Sequence, residues 1–174
     1  MNPLPYIQHL DHLTFSWCLR RKRRAEAIKF SRYVSFTADG PLYALIGFAF
    51  ILAENWLMVK ILVGGFALER CFYFFAKTFF KRNRPPEAIP GFKSAIIPSD
   101  KFSFPSGHTS AAFFMACALS FYAPFLAWIL FPWAISVGSA RVMLGVHFPT
   151  DTLAGAAMGS SFCLLMISWF AVYS

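Results

Sequence analysis

Residues 102–140 contain no Asp, Glu, Lys or Arg, an uncharged run of 39 residues. A membrane helix uses roughly 20 apolar residues, so this run is too long for one crossing and fits two. Pro124, close to its middle, is the natural break and predicts spans near 107–122 and 125–145. A second uncharged run, residues 152–174, supplies a span near 150–172. Upstream, residues 40–53 are apolar but short, so a span near 39–56 draws on their flanks. The apolar stretch 56–80 is interrupted by Lys60, Glu69, Arg70 and Lys77. Lys60 can snorkel to the interface, and Glu69 can neutralise Arg70 within the span. The pattern predicts an all-α, polytopic transmembrane bundle of about five spans, one domain over residues 1–174 in which 39–174 form the transmembrane core and 1–38 an interfacial segment.

Composition supports lipid as the solvent. Charged residues make up 14% of the 174, against about 25% in ordinary soluble domains. Residues 1–38 do not fit a crossing, because Arg20-Arg21-Lys22-Arg23-Arg24 interrupts them. They also fail as a secretory signal, since the basic cluster follows the apolar part and Asp11 lies inside that part. Ile7, Leu10, Phe15 and Trp17, then Ala27, Phe30, Tyr33 and Val34, recur at helical spacing between polar residues, which predicts interfacial amphipathic helices. Sixteen basic against eight acidic residues, a net charge of +8, point to phosphate-bearing partners. Nucleic acid is not expected, because such proteins carry their basic residues on a polar, water-soluble surface. The four cysteines are scattered through apolar segments without a CxxC pair, so neither a disulfide framework nor a zinc site is indicated.

Three polar clusters fall at the predicted span ends. In the first, Lys77 and Arg84 are seven residues apart, which puts them on one helical face roughly 10 Å apart along the axis, able to grip one anion. A basic patch touching headgroups is the alternative reading. In the second, Pro105 and Ser106 open a helix, Gly107 permits close approach to its free N–H groups, and His108 can donate a proton near neutral pH. In the third, which also contains Arg141, His147 and Asp151 are four apart beside Pro149. A regular turn there lets the carboxylate hold one imidazole nitrogen while the other faces the site, with imidazole a candidate nucleophile. A self-satisfying buried pair is the alternative. A zinc or two-metal site would want more ligands than these clusters offer. The span count places all three clusters on one side of the membrane.

The ordered set Lys77-x6-Arg84-Pro85, Pro105-Ser106-Gly107-His108 and Arg141-x5-His147-x3-Asp151 resembles the three-part signature of the type 2 phosphatidic acid phosphatase superfamily of membrane lipid phosphatases. That family commonly has Ser directly before the third-motif Arg; here Ala140 stands there, with Ser139 one residue earlier. The resemblance implies a phosphatase without metal or other cofactor that works through a phosphohistidine. In it, His147 attacks phosphorus, Asp151 orients His147, and His108 protonates the leaving oxygen. Lys77, Arg84, Arg141, Ser106 and Gly107 hold the phosphoryl oxygens. The implied substrate is a membrane lipid phosphate or diphosphate, such as undecaprenyl diphosphate, phosphatidylglycerophosphate or phosphatidate. Lipid-to-lipid phosphotransfer at the same site and non-catalytic headgroup binding are the competing expectations.

The two cues to sidedness disagree. The resemblance implies a bacterial inner-membrane protein with its site on the periplasmic face. Seven basic residues precede the first span, however, and Lys81, Arg82, Lys93 and Lys101 join the motif cations on that same side, which the positive-inside rule assigns to the cytoplasm.

Overall fold

The computed structural model describes residues 4–20, 24–98 and 100–172. Arg21, Lys22 and Arg23 of the basic cluster and the side chain of Ile7 lie outside the described residues. Regular structure among the described residues is entirely helical: α1 (Leu4–Leu19), α2 (Arg24–Phe36), α3 (Gly40–Leu52), α4 (Trp56–Phe80), α5 (Pro85–Ala88), α6 (Gly107–Tyr122), α7 (Ala127–Met143) and α8 (Pro149–Val172). Local chemistry sets several of these boundaries. Asn55 caps α4 by accepting the Met58 N–H at 3.1 Å, and α4 ends where Lys81 turns left-handed. Pro124 breaks the long uncharged run as expected, in a short 3-10 turn, Pro124–Leu126, between α6 and α7. Pro149 starts α8, where its missing N–H costs nothing.

Among the described residues, three stretches are long and apolar enough to cross a membrane: Ala25–Leu52, Pro124–Met143 and Pro149–Phe170. The remaining bundle helices depart from that pattern for readable reasons. α4 carries four charged residues, and α6 is 16 residues long. The first apolar stretch begins in α2, so it runs across the boundary at residue 38 that separates the expected interfacial segment from the expected core. Val34 and Ala38 explain why: they join Ala112, Ala116, Ala134 and Val137 in a shared apolar cluster.

Close approach of α6 and α8 aligns the second and third motifs. A Cβ at Gly155 would lie 2.5 Å from the Ser106 carbonyl oxygen, and one at Gly159 would lie 2.0 Å from that of Ser110. Small residues four apart let two helix backbones touch, a recurrent device where both helices sit in lipid. At the opposite end, Phe50, Met58, Ile61, Leu62, Phe114, Met115, Ala118 and Cys163 form the main core. Apolar side chains such as Phe74, Phe75, Phe79, Trp128 and Ile129 point outward, as a lipid-facing perimeter requires.

Candidate active site

The ends of α4 and α7 and the starts of α6 and α8 converge, and all three motifs meet there. Their polar side chains are withdrawn from the surface: Lys77, Arg84, Ser106, Arg141, His147 and Asp151 are all buried. Burial on this scale demands partners, because an isolated buried charge is far costlier than a solvated one.

Lys77 and Arg84 share one partner that the sequence did not single out. The Asp100 carboxylate, from the loop before α6, accepts Lys77 Nζ and Arg84 Nη2, each at 2.5 Å, and the Tyr73 hydroxyl at 2.7 Å. Lys77 also donates to the Phe102 carbonyl at 2.5 Å, while Arg84 donates to the carbonyls of Asp100 and Val146 at 2.9 and 2.6 Å. Burial alone would raise the Asp100 carboxyl, but the hydrogen bonds from Lys77, Tyr73 and Arg84 outweigh it and hold the group at about 2. An anion therefore already sits between the two cations expected to grip one.

Arg84 also reaches the third motif, its Nη1 lying 3.4 Å from His147 Nε2. The other ring nitrogen, Nδ1, faces Asp151 Oδ2 at 3.7 Å, an electrostatic contact longer than a hydrogen bond. Asp151 Oδ2 instead accepts the Phe148 N–H at 2.7 Å, which caps the start of α8. Burial pushes the His147 imidazole down to about 4; the positive charges of Arg141 and Arg84 add to the fall, and Asp151 opposes it. His147 is thus neutral at pH 7, with one nitrogen toward the carboxylate and the other toward the arginines.

Arg141 differs from the other cations. Its Nη1 donates to the Ser35 hydroxyl of α2 at 2.9 Å, its Nε has no hydrogen-bond partner, and it forms no ion pair among the described residues. A buried guanidinium that donates to a neutral hydroxyl and meets no carboxylate in an ion pair among the described residues is a ready receptor for an incoming anion. Ser139, the hydroxyl nearest to the substituted position before Arg141, points outward and bonds its own helix at the Ile135 carbonyl, 3.0 Å away. The hydroxyl beside Arg141 therefore comes from α2, a source that spacing along the third motif could not reveal.

The second motif needs two corrections of detail. The Ser106 N–H is not free, since it donates to the Asp151 carbonyl at 3.0 Å, and the Ser106 hydroxyl pairs with Thr109 at 2.9 Å. Gly107 makes room for a side chain: a Cβ there would meet the Tyr73 ring at 2.8 Å, and Tyr73 is the residue that holds Asp100. His108 Nε2 lies 3.0 Å from Asp39 Oδ1, contributed by the bend between α2 and α3. His108 and Asp39 line two flanking cavities, one of about 370 Å³ with Arg32 and Arg141 and one of about 300 Å³ with Arg70 and Gly107. Contacts link Lys77, Arg84, His147, Asp151 and Ser106 to one another, with Asp100 bridging the two cations, while Gly107, His108 and Arg141 line the flanking cavities beside Asp39.

The sequence profile of the PAP2 superfamily matches residues 58–173, which contain all three motifs. The chain belongs to the PAP2 superfamily. Among curated proteins it is 49% identical over 71 residues to the lipid A 1-phosphatase of Rhizobium johnstonii, covering 40% of this chain and 28% of that protein's length. The crystal structure of Aquifex aeolicus LpxE superposes with a TM-score of 0.81 at 26% identity, covering 91% of this chain and 95% of that one. The transmembrane PAP2 type phosphatidylglycerolphosphate phosphatase of Bacillus subtilis gives a TM-score of 0.78 at 25% identity, covering 97% and 88%. This PAP2 chain is accordingly a membrane protein whose bundle is shared over nearly its whole length with both solved structures.

Proposed function

We propose that this protein is an integral membrane phosphatase that hydrolyses a lipid phosphate through a phosphohistidine, without a metal. The observation that carries this reading is the neutral, buried His147, with Nε2 beside Arg84 and Nδ1 beside Asp151. Nε2 attacks phosphorus, while Asp151 balances the charge that develops on the ring. His108, on the side of the two flanking cavities, protonates the departing lipid oxygen. Lys77, Arg84 and Arg141 surround the phosphoryl oxygens, and a phosphoryl transition state asks mostly for positioning and fixed positive charge of this kind. Water then releases phosphate from His147. Ser106 contributes through its hydroxyl and Gly107 through its N–H.

The substrate class is a phosphorylated membrane lipid. The lipid A 1-phosphatase relative and the phosphatidylglycerolphosphate phosphatase neighbour support placing lipid A 1-phosphate and phosphatidylglycerophosphate beside phosphatidate and undecaprenyl diphosphate in a substrate panel. Purified protein in excess EDTA is expected to release phosphate from at least one of these lipids, and His147→Ala and His108→Ala to abolish release with the fold intact. A strict metal requirement, or unchanged turnover in His147→Ala, refutes the mechanism. Phosphate appearing on an acceptor lipid in place of solution would identify a phosphotransferase, and headgroup binding without turnover would identify a binding protein. We further propose a periplasmic site: a reporter fused after Ser174 is expected to be active in the cytoplasm, and a periplasmic reporter signal there refutes the orientation.

A further inference from the structure

Asp151 is held from a direction that the three motifs do not account for. Its Oδ1 accepts Arg82 Nη1 at 2.7 Å. Arg82 is an interior residue of the first motif's spacer, and its Nη2 reaches Asp11 Oδ2 at 2.5 Å. Asp11 belongs to α1, is 2% exposed, and lies outside the region matched by the family profile. It also accepts the Thr150 N–H at 3.0 Å and the Thr150 hydroxyl, so it caps the first turn of α8 from another helix. Arg82 donates to that same hydroxyl at 2.7 Å and stacks on the Phe148 ring at 4.6 Å, with His12 of α1 stacked on Phe148 at 5.3 Å. Asp11 and Arg82 together hold Thr150 and Asp151, beside the turn that carries His147. The opposite side of α1 exposes Leu10, Leu13 and Trp17 at helical spacing, while Asp11 and Phe15 are buried against the bundle.

We propose that Asp11 and Arg82 are a positioning pair that fixes the Asp151 carboxylate against His147, making α1 part of the catalytic apparatus. This rests on His147 as the attacking group. Arg82 and the Phe148 N–H occupy one oxygen of Asp151 each, which stops the carboxylate from rotating toward Arg84 or Arg141. Arg82 also withdraws negative charge from Asp151, which keeps the ring of His147 neutral and able to attack. Asp11 in turn keeps Arg82 from folding back toward the phosphate cradle, where it would sit as a competing cation. The other charged groups around His147 are Arg84 from the end of the first motif, Arg141 from α7, and Asp100 and Lys77 through Arg84.

The test uses the full chain in lipid nanodiscs, with phosphate release measured from pH 3 to 9 for wild type, Arg82→Gln, Arg82→Lys, Asp11→Asn and His147→Ala. Loss of an outer partner that orients a reacting group costs about 10- to 100-fold in activity, so Arg82→Gln and Asp11→Asn are expected to lose kcat on this scale with KM within about two-fold of wild type. Removing the Arg82 charge leaves Asp151 more strongly negative, so the acid limb of the kcat profile should move up by about one pH unit in Arg82→Gln. Arg82→Lys keeps the charge and should hold the limb in place. A lesion that merely loosens the fold would lower kcat without moving the limb. The proposal is overturned if Arg82→Gln retains kcat, if it loses kcat with an unmoved limb, or if KM alone changes. Ring-nitrogen NMR of 15N-histidine-labelled protein provides a reading independent of turnover: the His147 titration should move upward in Arg82→Gln, and an unmoved titration overturns the pair. Absence of His147-dependent turnover in wild type would overturn the phosphatase reading as well, an outcome distinct from His147-dependent turnover that ignores Arg82.

Discussion

Replacing Asp100 by Asn leaves Lys77 and Arg84 without the carboxylate that both now hold at 2.5 Å. Breaking a buried ion pair by removing one partner costs about 3–5 kcal/mol when the other charge is fully buried. The two cations are buried here, but the Asp100 side chain is 34% exposed, and carbonyls of Phe102, Asp100 and Val146 remain as acceptors. A discounted cost of about 2 kcal/mol is the appropriate expectation, which for a chain of this size lowers Tm by roughly 4–8 °C. The charge removed lies between cations that would hold phosphate, so the loss should be recoverable by a bound phosphate that takes over the pairing. Binding to the folded state stabilises by about 2.7 kcal/mol at 100 times the dissociation constant, enough to offset the cost. Thermal unfolding of purified wild type and Asp100→Asn across an orthophosphate series reads both effects. Asp100→Asn should start lower, climb more steeply with phosphate and show about tenfold tighter phosphate binding, equivalent to 1.4 kcal/mol. A variant that is destabilised yet binds phosphate no better would refute the reasoning, for Asp100 would then be a strut of the cradle and not an occupant of it.

Other expectations follow from the same geometry. His147 is held down to about 4 by burial, so the acid limb of kcat/KM should fall well below the ordinary histidine value of 6.5, and a limb near 6.5 in a pH–rate profile would contradict the buried, neutral ring. Because the unfolded chain takes up that proton at higher pH than the folded one, His147 should also erode stability as pH falls from about 6.5 toward 4, visible as a falling Tm. Asp100 has the opposite sign: its depressed carboxyl contributes stability that is fully present above about pH 4 and lost as pH falls toward 2, a contribution that Asp100→Asn should remove. Gly159→Ala puts a methyl 2.0 Å from the Ser110 carbonyl oxygen and should cost about 1–3 kcal/mol by forcing α6 and α8 apart, read as a lower Tm, whereas Gly47→Ala, in open space, should be nearly neutral. Ser35→Ala removes the hydrogen bond that the Arg141 guanidinium donates to α2 and should cost about 1 kcal/mol, with a matching rise in KM for lipid phosphate.

What the sequence made legible and what it did not divide along a physical line. The uncharged runs report directly on lipid burial, so the helices near 107–122, 125–145 and 150–172 could be placed from charge alone, and Pro124 and Pro149 marked their ends. The motif residues were legible from their types and order, but the helical geometry expected of them fails: α4 ends at Phe80, so Arg84 does not share a helical face with Lys77, and His147 precedes α8, which leaves its Nδ1 3.7 Å from Asp151. The site roles of Asp11, Ser35, Asp39, Arg82 and Asp100 are not legible from spacing, because their partners lie far off in sequence: Arg82 meets Asp11 across 71 positions and Arg141 meets Ser35 across 106. One available signal pointed their way. In a chain with only eight acidic residues, each Asp in or beside an apolar segment needs a reason, and Asp11, Asp39 and Asp100 have one at this single site. The same arithmetic bears on sidedness. Lys77, Arg82, Arg84 and Arg141 are buried or nearly so and bound to internal partners, so they present little free charge to the translocation machinery and should count little toward the positive-inside bias. What remains of that bias rests on the basic residues of the N-terminal segment and the exposed Lys81, Lys93 and Lys101. A charge count that sets the internal cations aside is therefore weaker evidence for a cytoplasmic site than the raw excess of +8 suggests.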